Sequence, residues 1–387
     1  MKDQIVCRLL SCALFDYKEL PETDDWQSVY NELNYHEVVA ITAKLIGKLN
    51  LPEDIKATWK KRTLQQLTFN IQNKYIEDAL SISVPYIILK GSSAAQYYPY
   101  PEFRTMGDID IMTTREDFDA AFQQLVDNGY LIEKELDREI CFVKNGIVIE
   151  LHRYFASLND LAQAKYLDDL IISNITTSHV LPDFVNGLVL LEHISQHMEH
   201  GLGLRQIIDW MMFVHKCLPD EKWPEFRDMA QGIGLEKLAI ATTHMCEIYL
   251  GLPERSWCAG ADERLCEQFM NYILACGNFG NKWNDEDHIA ENALTRARNP
   301  KAAFRLLQER GLVNWKAARK HRVLRPFAWG YQLGRYISRG VHRKEATGKL
   351  KAEYKAAKQR NAMFDKLGVK QTSKGLVIYK DGQYVKE

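Results

Sequence analysis

Residues 84–112 read VPYIILKGSSAAQYYPYPEFRTMGDIDIM, and this stretch decides the predicted fold. Its first six residues form an apolar run typical of a buried strand, and the small residues that follow favour a turn into a helix. A second strand is predicted over residues 108–112, where alternation places two isoleucines on one face and Asp108 and Asp110 on the other. The stretch therefore predicts a strand, a turn, a helix and an acid-bearing strand in succession.

The two aspartates of the second strand indicate a metal site. Side chains two residues apart on one strand face are about 7 Å apart, and two ionised carboxylates in a half-buried site repel each other unless a cation lies between them. Ligands that are all oxygen suit Mg²⁺ or Mn²⁺ rather than Zn²⁺. The alternative for Asp108 and Asp110 is an aspartate-rich strand end on the protein surface.

A third carboxylate comes from a predicted β-hairpin. Asn145-Gly146 is the pair favoured in a two-residue type I′ turn, because both positions need a positive φ. That turn fixes a register that places Cys141 opposite Glu150. Alternation along the return strand puts Glu150 and His152 on one face. We expect this hairpin to lie beside the acid-bearing strand and to add Glu150 to the metal site.

Together these motifs resemble the signature of the polymerase-β-like nucleotidyltransferase superfamily, in which a Gly-Ser turn, an Asp-x-Asp pair and a later strand carboxylate follow one another. A closer resemblance is to an uncharacterised bacterial nucleotidyltransferase family. Its motifs are matched here by Leu89-Lys90-Gly91, Tyr98-Pro99, Arg104, Gly107-Asp108-Ile109-Asp110-Ile111, Glu150-Leu151-His152, the helical segment LEHISQH at residues 191–197, and the segment from Arg205 to Asp209. The resemblance spans roughly residues 60–215, with a weaker echo near residues 325–339.

The resemblance implies an α/β (α+β) fold, in which a nucleotidyltransferase sheet carries helices and is flanked by helical regions. It also implies a Mg²⁺- or Mn²⁺-dependent enzyme that moves NMP from an NTP to a hydroxyl acceptor and releases pyrophosphate. Asp108, Asp110 and Glu150 would be the catalytic residues and the metal ligands, although aspartate is the commoner residue at the third position. The alternatives are a non-catalytic nucleotide-binding or interaction protein and an enzyme that modifies a protein or tRNA.

Four residues near the turn are candidates for nucleotide binding. Gly91 lets the backbone approach a phosphate, and the Ser92 hydroxyl can donate to it. Lys90 either meets phosphate or ends the strand in solvent. Arg104 either donates two hydrogen bonds to phosphate or pairs with Asp108 or Glu102 for structure.

Three further candidates lie downstream. His152 either orients a carboxylate, contacts nucleotide or has a structural role. His193 and His197 share a helix face, and they either bind Zn²⁺, line the nucleotide pocket or pack in the core or at the surface. Arg205 either reaches the active cleft or forms a helix ion pair with Asp209.

Composition excludes a protein-wide field that would attract nucleic acid or membrane, because the net charge of the 387 residues is −1. The basic residues nevertheless concentrate in residues 301–360, where 17 Lys/Arg face three Glu. Aromatic residues alternate with these cations, which suits an anionic polymer or an anionic membrane surface. The alternative is a solvated helical face. NTP is the partner implied by the resemblance, and a small-molecule or saccharide acceptor is favoured over a macromolecule.

Four regions are predicted: an N-terminal helical region at 1–82, the nucleotidyltransferase core at 83–180, a helical bundle at 181–300 and a basic helical tail at 301–387. Helices are expected over residues 35–49 and over residues 57–82, the second with Leu64, Leu67, Ile71 and Tyr75 on its apolar side and packed on the sheet domain. The tail is expected to hold a helix over 344–370 and a hairpin near 375–385.

The eight cysteines contain no C-x-x-C pair, which is typical of reduced thiols in the cytosol. The sequence also contains no run of 18 apolar residues and no clean signal-peptide pattern at its start. We therefore expect a cytoplasmic protein.

Overall fold

The computed structural model describes residues 2–198, 201–282, 304, 307–308, 311–312, 314–341, 346–369, 377–380 and 383–386. The chain divides into two compact units, residues 1–282 with 376–387 and residues 283–375. The predicted limits at residues 82 and 180 both lie inside the first unit, and the four-region division stays a prediction.

The first unit is built around a mixed five-stranded sheet with the order β1-β2-β5-β4-β3. Strands β2 and β5 are parallel, and the other neighbours are antiparallel. The strands are β1 (Tyr86–Leu89), β2 (Ile109–Thr113), β3 (Leu131–Glu135), β4 (Glu139–Lys144) and β5 (Ile147–His152). The predicted alternation of strands and helices and the α+β class are confirmed.

The β4–β5 hairpin has the predicted turn and register. Asn145 has a φ of 53° and Gly146 a φ of 77°, as a type I′ turn requires. Cys141 pairs with Glu150 across the two strands. On its other side β5 lies beside β2, where Asp110 pairs with Glu150. Two of the predicted carboxylates are therefore brought side by side by the backbone register.

One face of the sheet is apolar and the other carries the acids. Ile109, Ile111, Ile149 and Leu151 are buried in one hydrophobic cluster, which α5 covers with buried Ala121 and Leu125 among others. Because side chains alternate along a strand, Asp110, Glu150 and His152 point away from that core. The carboxylates are thus held on strands whose other face is fixed by apolar burial.

The sheet is surrounded by eleven α-helices of the first unit within the described residues. They are α1 (Lys2–Phe15), α2 (Trp26–Tyr35), α3 (Glu53–Asp78), α4 (Gly91–Ala95), α5 (Phe118–Asp127), α6 (Leu161–Ser173), α7 (Asp183–His197), α8 (Leu204–Cys217), α9 (Trp223–Gly232), α10 (Glu236–Leu250) and α11 (Glu263–Cys276). Short 3₁₀ segments lie at Ala40–Leu45, Pro101–Phe103, Asp220–Lys222, Ser256–Cys258 and Asn278–Gly280.

The prediction of a continuous helix over residues 35–49 is wrong. Helix α2 ends at Tyr35, Glu37 takes a φ of 57°, and only Ala40–Leu45 forms a 3₁₀ segment. The apolar residues that suggested a helix are buried here all the same, among them Val38 and Ile41. The spacing of the apolar residues therefore predicted their burial correctly. The positive φ at Glu37 prevents a continuous helix.

Helix α3 forms, but its burial differs from the expectation. Leu64, Ile71 and Tyr75 on the apolar side are 63%, 69% and 69% exposed. The buried side is instead mostly polar at helical spacing, and its members are Thr63, Gln66, Asn70, Asn73 and Glu77. Burial of polar side chains requires hydrogen-bond partners. Asn70 and Asn73 find theirs in the loop that carries the acids, and Glu77 accepts from Ser92.

The second unit contains α12 (Lys316–Lys320), a 3₁₀ segment (Arg322–Phe327), α13 (Ala328–Val341) and α14 (Ala346–Lys366). Helix α14 confirms the tail helix expected over 344–370. The hairpin expected near 375–385 is also present, as β6 (Val377–Lys380) and β7 (Gln383–Lys386), and it belongs to the first unit. Among the helices of the described segments, none combines the length and the apolarity that crossing a membrane requires.

Candidate active site

The acid face of the sheet gathers a compact group of possible metal ligands. Asp110 on β2 and Glu150 on β5 are register partners. His152 Nε2 lies 2.9 Å from Asp110 Oδ1 and 3.5 Å from Glu150 Oε2. The ligand atoms of these three residues all lie within 4.8 Å of one another. Glu150 and His152 therefore share the acid face, as the alternation of the hairpin predicted.

Lys90 closes this group from the end of β1. Its Nζ lies 2.7 Å from the same Asp110 oxygen that His152 contacts. Lys90 has a φ of 52° and Gly91 a φ of 31°, a backbone that residues with a side chain rarely adopt. The sharp turn directs the ammonium group into the site. The alternative in which Lys90 ends the strand in solvent is therefore wrong.

The charges of the site are unevenly balanced. Burial opposes ionisation of Asp110, but Lys90 and His152 outweigh it and hold the pKa of this carboxyl well below its usual range. Burial would likewise lower the pKa of His152, and the hydrogen bonds to Asp110 and Glu150 raise it instead. The contacts from Lys90 and His152 thus stabilise an ionised Asp110.

Asp108 stands in a different environment from Asp110. It directly precedes β2 and is exposed to solvent. Desolvation within the cleft and repulsion by Glu150 and Asp110 raise the pKa of Asp108 to about 6. Asp108 is not among the three residues of the compact ligand group. It lies at the open end of the acid face, where its charge lacks the compensation that Asp110 receives.

The loop that carries Asp108 is held by the buried polar side of α3. Asn70 Nδ2 donates to the carbonyl oxygens of Glu102 and Arg104 at 2.8 Å each, and Asn70 Oδ1 accepts from the Met106 backbone N–H at 3.0 Å. Asn73 Nδ2 donates to the Gly107 carbonyl at 2.7 Å. Two asparagines one turn apart therefore fix the backbone immediately before Asp108. The sequence reasoning missed both.

The two residues of the Gly-Ser turn face different parts of the protein. A Cβ added at Gly91 would meet only the Asp108 carbonyl oxygen, at 3.9 Å, so the turn lies against the acid loop with space around it. The Ser92 hydroxyl donates to Glu77 Oε2 at 2.6 Å, and Glu77 also pairs with Lys74. The Ser92 side chain is thus engaged with α3, and its predicted role toward phosphate stays a prediction.

Arg104 is buried in an ion pair with α8. Its Nε and Nη2 donate to the two carboxylate oxygens of Asp209 at 3.0 and 2.6 Å, and the Tyr98 hydroxyl donates to Asp209 Oδ1 at 2.7 Å. This geometry matches the structural alternative for Arg104, with Asp209 in place of Asp108 or Glu102 as the partner. Its predicted phosphate contact stays a prediction.

Arg205 is a second buried cation near Asp209. In the described part of the chain no hydrogen bond or ion pair engages its guanidinium, and its Nε is buried without a partner. Burial and the neighbouring Arg104 lower its pKa. Its Nη1 lies 3.8 Å from where a Cβ on Gly107 would stand. Arg205 therefore reaches the acid loop instead of forming the helix ion pair with Asp209.

The histidine pair of α7 lies beside Arg205. The His193 and His197 rings are 4.6 Å apart and edge-on. Burial and the charges of His197, Lys90 and Arg205 lower the pKa of His193 well below its usual value, and its Nδ1 has no hydrogen-bond partner. The groups of possible metal ligands found among the described residues include neither histidine.

A family model described as an uncharacterised nucleotidyltransferase matches residues 22–251, more than half of the chain. The chain belongs to this nucleotidyltransferase family. The match covers the whole sheet and every residue predicted for the site, and residues 252–387 of the nucleotidyltransferase lie outside it. No match was found among curated proteins, and none among solved structures.

The acid face of the nucleotidyltransferase fits a divalent cation. Asp108, Asp110 and Glu150 would supply oxygen ligands, which Mg²⁺ and Mn²⁺ prefer. The raised pKa of Asp108 reflects desolvation and the negative charges of Glu150 and Asp110, which Lys90 and Arg205 do not fully compensate. A cation on this face would remove that repulsion, so the donor set and its electrostatics agree.

Proposed function

We propose that this nucleotidyltransferase moves NMP from an NTP to an acceptor hydroxyl and releases pyrophosphate, with Mg²⁺ or Mn²⁺ held by Asp108, Asp110 and Glu150. The observation that carries the proposal is the parallel register of β2 and β5, which pairs Asp110 with Glu150. Lys90 and His152 converge on one Asp110 oxygen, which leaves the other Asp110 oxygen, Asp108 and Glu150 for ligation.

In the proposed reaction the acceptor oxygen forms a bond to the α-phosphorus, and the bond from that phosphorus to the pyrophosphate oxygen breaks. The metal, when bound, neutralises charge on the phosphates and lowers the pKa of the attacking hydroxyl. Glu150 is partly exposed and is the carboxylate to which we assign the hydroxyl proton. We assign stabilisation of the negative charge of the leaving pyrophosphate to Lys90 and Arg205, and the support is that Lys90 contacts Asp110 and Arg205 lies near Gly107.

The partners and the cell compartment are also proposals. A small molecule or a saccharide is the proposed acceptor, and a protein or tRNA is the competing one. The basic segment 301–360 supports binding of an anionic polymer or membrane surface. A cytoplasmic location is supported by the eight cysteines, which are all buried and form no disulfide.

Calorimetric titration with the four NTPs, with and without Mg²⁺, tests the proposed site. The variants are Asp108→Ala/Asp110→Ala in the site and, as a control, Asp78→Ala/Glu133→Ala, which removes two exposed acids elsewhere. We expect wild type and control to bind NTP in a Mg²⁺-dependent manner and the site variant to lose that dependence. Folded wild type that binds no NTP would refute the proposal and favour a non-catalytic interaction protein.

A further inference from the structure

Phe279 has a backbone conformation that phenylalanine rarely adopts. It lies in the turn Asn278–Gly280 with φ 55° and ψ 25°, the left-handed region that bulky residues rarely adopt. Its side chain is nevertheless 57% exposed. A strained backbone that presents an apolar ring to solvent gains nothing for the core, and such strain is often found where a residue meets a ligand.

The surrounding structure holds this turn in place. A Cβ on Gly201 would overlap the Gly280 backbone, and one on Gly203 would stand 2.9 Å from Asn278. Asn278 is buried and accepts a hydrogen bond from Gln206 Nε2 at 3.0 Å. The loop before α8 and the turn after α11 therefore fit together without spare room, and the ring of Phe279 has a defined position.

That position is next to the unengaged cation of the site. The Phe279 ring centroid lies 5.8 Å from Arg205 Cζ and 4.9 Å from the His197 ring, to which it is edge-on. Arg205 Nη1 also lies 3.8 Å from where a Cβ on Gly107, the residue before Asp108, would stand. A single guanidinium is thus close both to the exposed ring and to the acid loop.

Two buried donors or acceptors in this cluster lack protein partners. Arg205 is 9% exposed, and its Nε has no hydrogen bond. His193 is also buried, and its Nδ1 has no hydrogen bond. Buried polar atoms without partners are uncommon in folded proteins. Together with the exposed ring, they indicate a polar and partly aromatic ligand.

We propose that Phe279 is the platform on which the base of the nucleotide stacks, while Arg205 binds its phosphates. The inference rests on the proposed nucleotidyl transfer and adds a specific binding residue to it. Phe279 lies outside the region matched by the family model. Stacking on an aromatic ring accepts every base, because each base has a π face. Similar affinities for the four NTPs are therefore expected from this contact.

The test measures binding of Mg²⁺ complexes of the four NTPs and of tripolyphosphate, which has no base, to the full chain. Phe279→Ala removes the ring, and Phe279→Trp keeps a stacking surface. Tyr75→Ala is the matched control, since Tyr75 is also an exposed aromatic residue, on the solvent side of α3. Thermal unfolding of each variant checks that it is folded.

We expect Phe279→Ala to weaken all four NTPs by roughly 5- to 150-fold and to leave tripolyphosphate unchanged. Phe279→Trp and Tyr75→Ala should bind NTP like wild type, and Arg205→Gln should weaken NTP and tripolyphosphate together. Unchanged NTP binding by Phe279→Ala would overturn the inference. So would an equal loss of NTP and tripolyphosphate binding.

The same titrations separate this inference from the proposed function. Wild type that binds no NTP contradicts nucleotidyl transfer itself and removes the basis of the inference. Wild type that binds NTP, together with Phe279→Ala that binds it equally well, contradicts only the stacking role. The two failures therefore give different results in one experiment.

Discussion

Replacement of Asp209 by leucine should strongly destabilise the protein, because it leaves a charged Arg104 buried without its partner. Asp209 is 1% exposed and receives three hydrogen bonds, two from Arg104 and one from Tyr98. Removal of one member of a buried ion pair lowers the free energy of unfolding by about 3–5 kcal/mol. The unpaired Tyr98 hydroxyl adds to this loss, so we expect a value toward the upper end of that range.

The double variant Arg104→Met/Asp209→Leu removes both charges and should be the more stable of the two. Its side chains approximate the volumes of the pair, and only the Tyr98 hydroxyl and the local backbone lose partners, so we expect a loss of about 1–2 kcal/mol. Urea unfolding of the full chain, followed by far-UV circular dichroism, measures both values. A single variant within 1 kcal/mol of wild type, or a double variant as unstable as the sum of its single variants, would refute this reasoning.

The Arg104→Lys variant separates the two roles considered for this arginine. Lysine keeps the charge but cannot make the two parallel hydrogen bonds to Asp209. If Arg104 serves the structure, the variant loses stability, and the fraction that remains folded binds NTP like wild type. If Arg104 binds phosphate, NTP affinity falls while stability changes little. Calorimetric titration at a temperature well below the unfolding transition distinguishes the two results.

Three further predictions concern neighbouring parts of the first unit. Asn70→Ala should reduce the free energy of unfolding by about 2–4 kcal/mol, since three backbone groups lose a buried partner; urea unfolding measures it, and a change below 1 kcal/mol contradicts it. Burial alone would raise the pKa of Glu32, but hydrogen bonds from His36 and Lys282 lower it to about 2. Its stabilisation, on the order of 2 kcal/mol, is therefore complete above the usual pKa near 4.5 and is lost as the pH falls toward 2; Glu32→Gln should show a smaller loss of stability over this pH interval. Gly203→Ala should lower the melting temperature, because the new methyl group meets Asn278 at 2.9 Å; an unchanged melting temperature would contradict the tight fit.

The sheet was predictable because its signals are local. A two-residue Asn-Gly turn fixes the register of the hairpin without reference to the rest of the chain, and Cys141 pairs with Glu150 as that register requires. Alternation then assigns each side chain to a face. The relation between β2 and β5 needed one further assumption, that the hairpin lies beside the acid-bearing strand, and the structure confirms it.

The burial of α3 was not predictable by the same rules. Hydrophobicity places Leu64, Ile71 and Tyr75 on the inner side, yet the inner side carries Asn70 and Asn73. Their partners are backbone groups of the loop at residues 102–107, more than thirty positions away, and no local pattern announces such a contact. The usable signal was the regular helical spacing of the polar residues at 63, 66, 70, 73 and 77, which is unusual for a solvated face.

Arg104 illustrates the limit imposed by long-range pairing. Its partner Asp209 lies 105 residues along the chain, and the sequence offered the nearer Asp108 and Glu102 as candidates instead. The same observation decides between the two alternatives for Arg205, because Arg104 engages both oxygens of the Asp209 carboxylate with which Arg205 would pair. The two arginine candidates thus differ: Arg104 is fully paired, and Arg205 has no carboxylate partner among the described residues.

The proposed catalytic acids depend on helices on both sides of them in the sequence. Helix α3 fixes the backbone before Asp108 through Asn70 and Asn73, and α8 fixes the preceding loop residue Arg104 through Asp209. A segment limited to the strands would retain the carboxylates and lose both constraints, with Arg104 left without Asp209. The family match from residue 22 to residue 251 includes both helices. The site is therefore a property of the sheet together with α3 and α8, because the sheet sets the spacing of Asp110 and Glu150 while the helices set the position of Asp108.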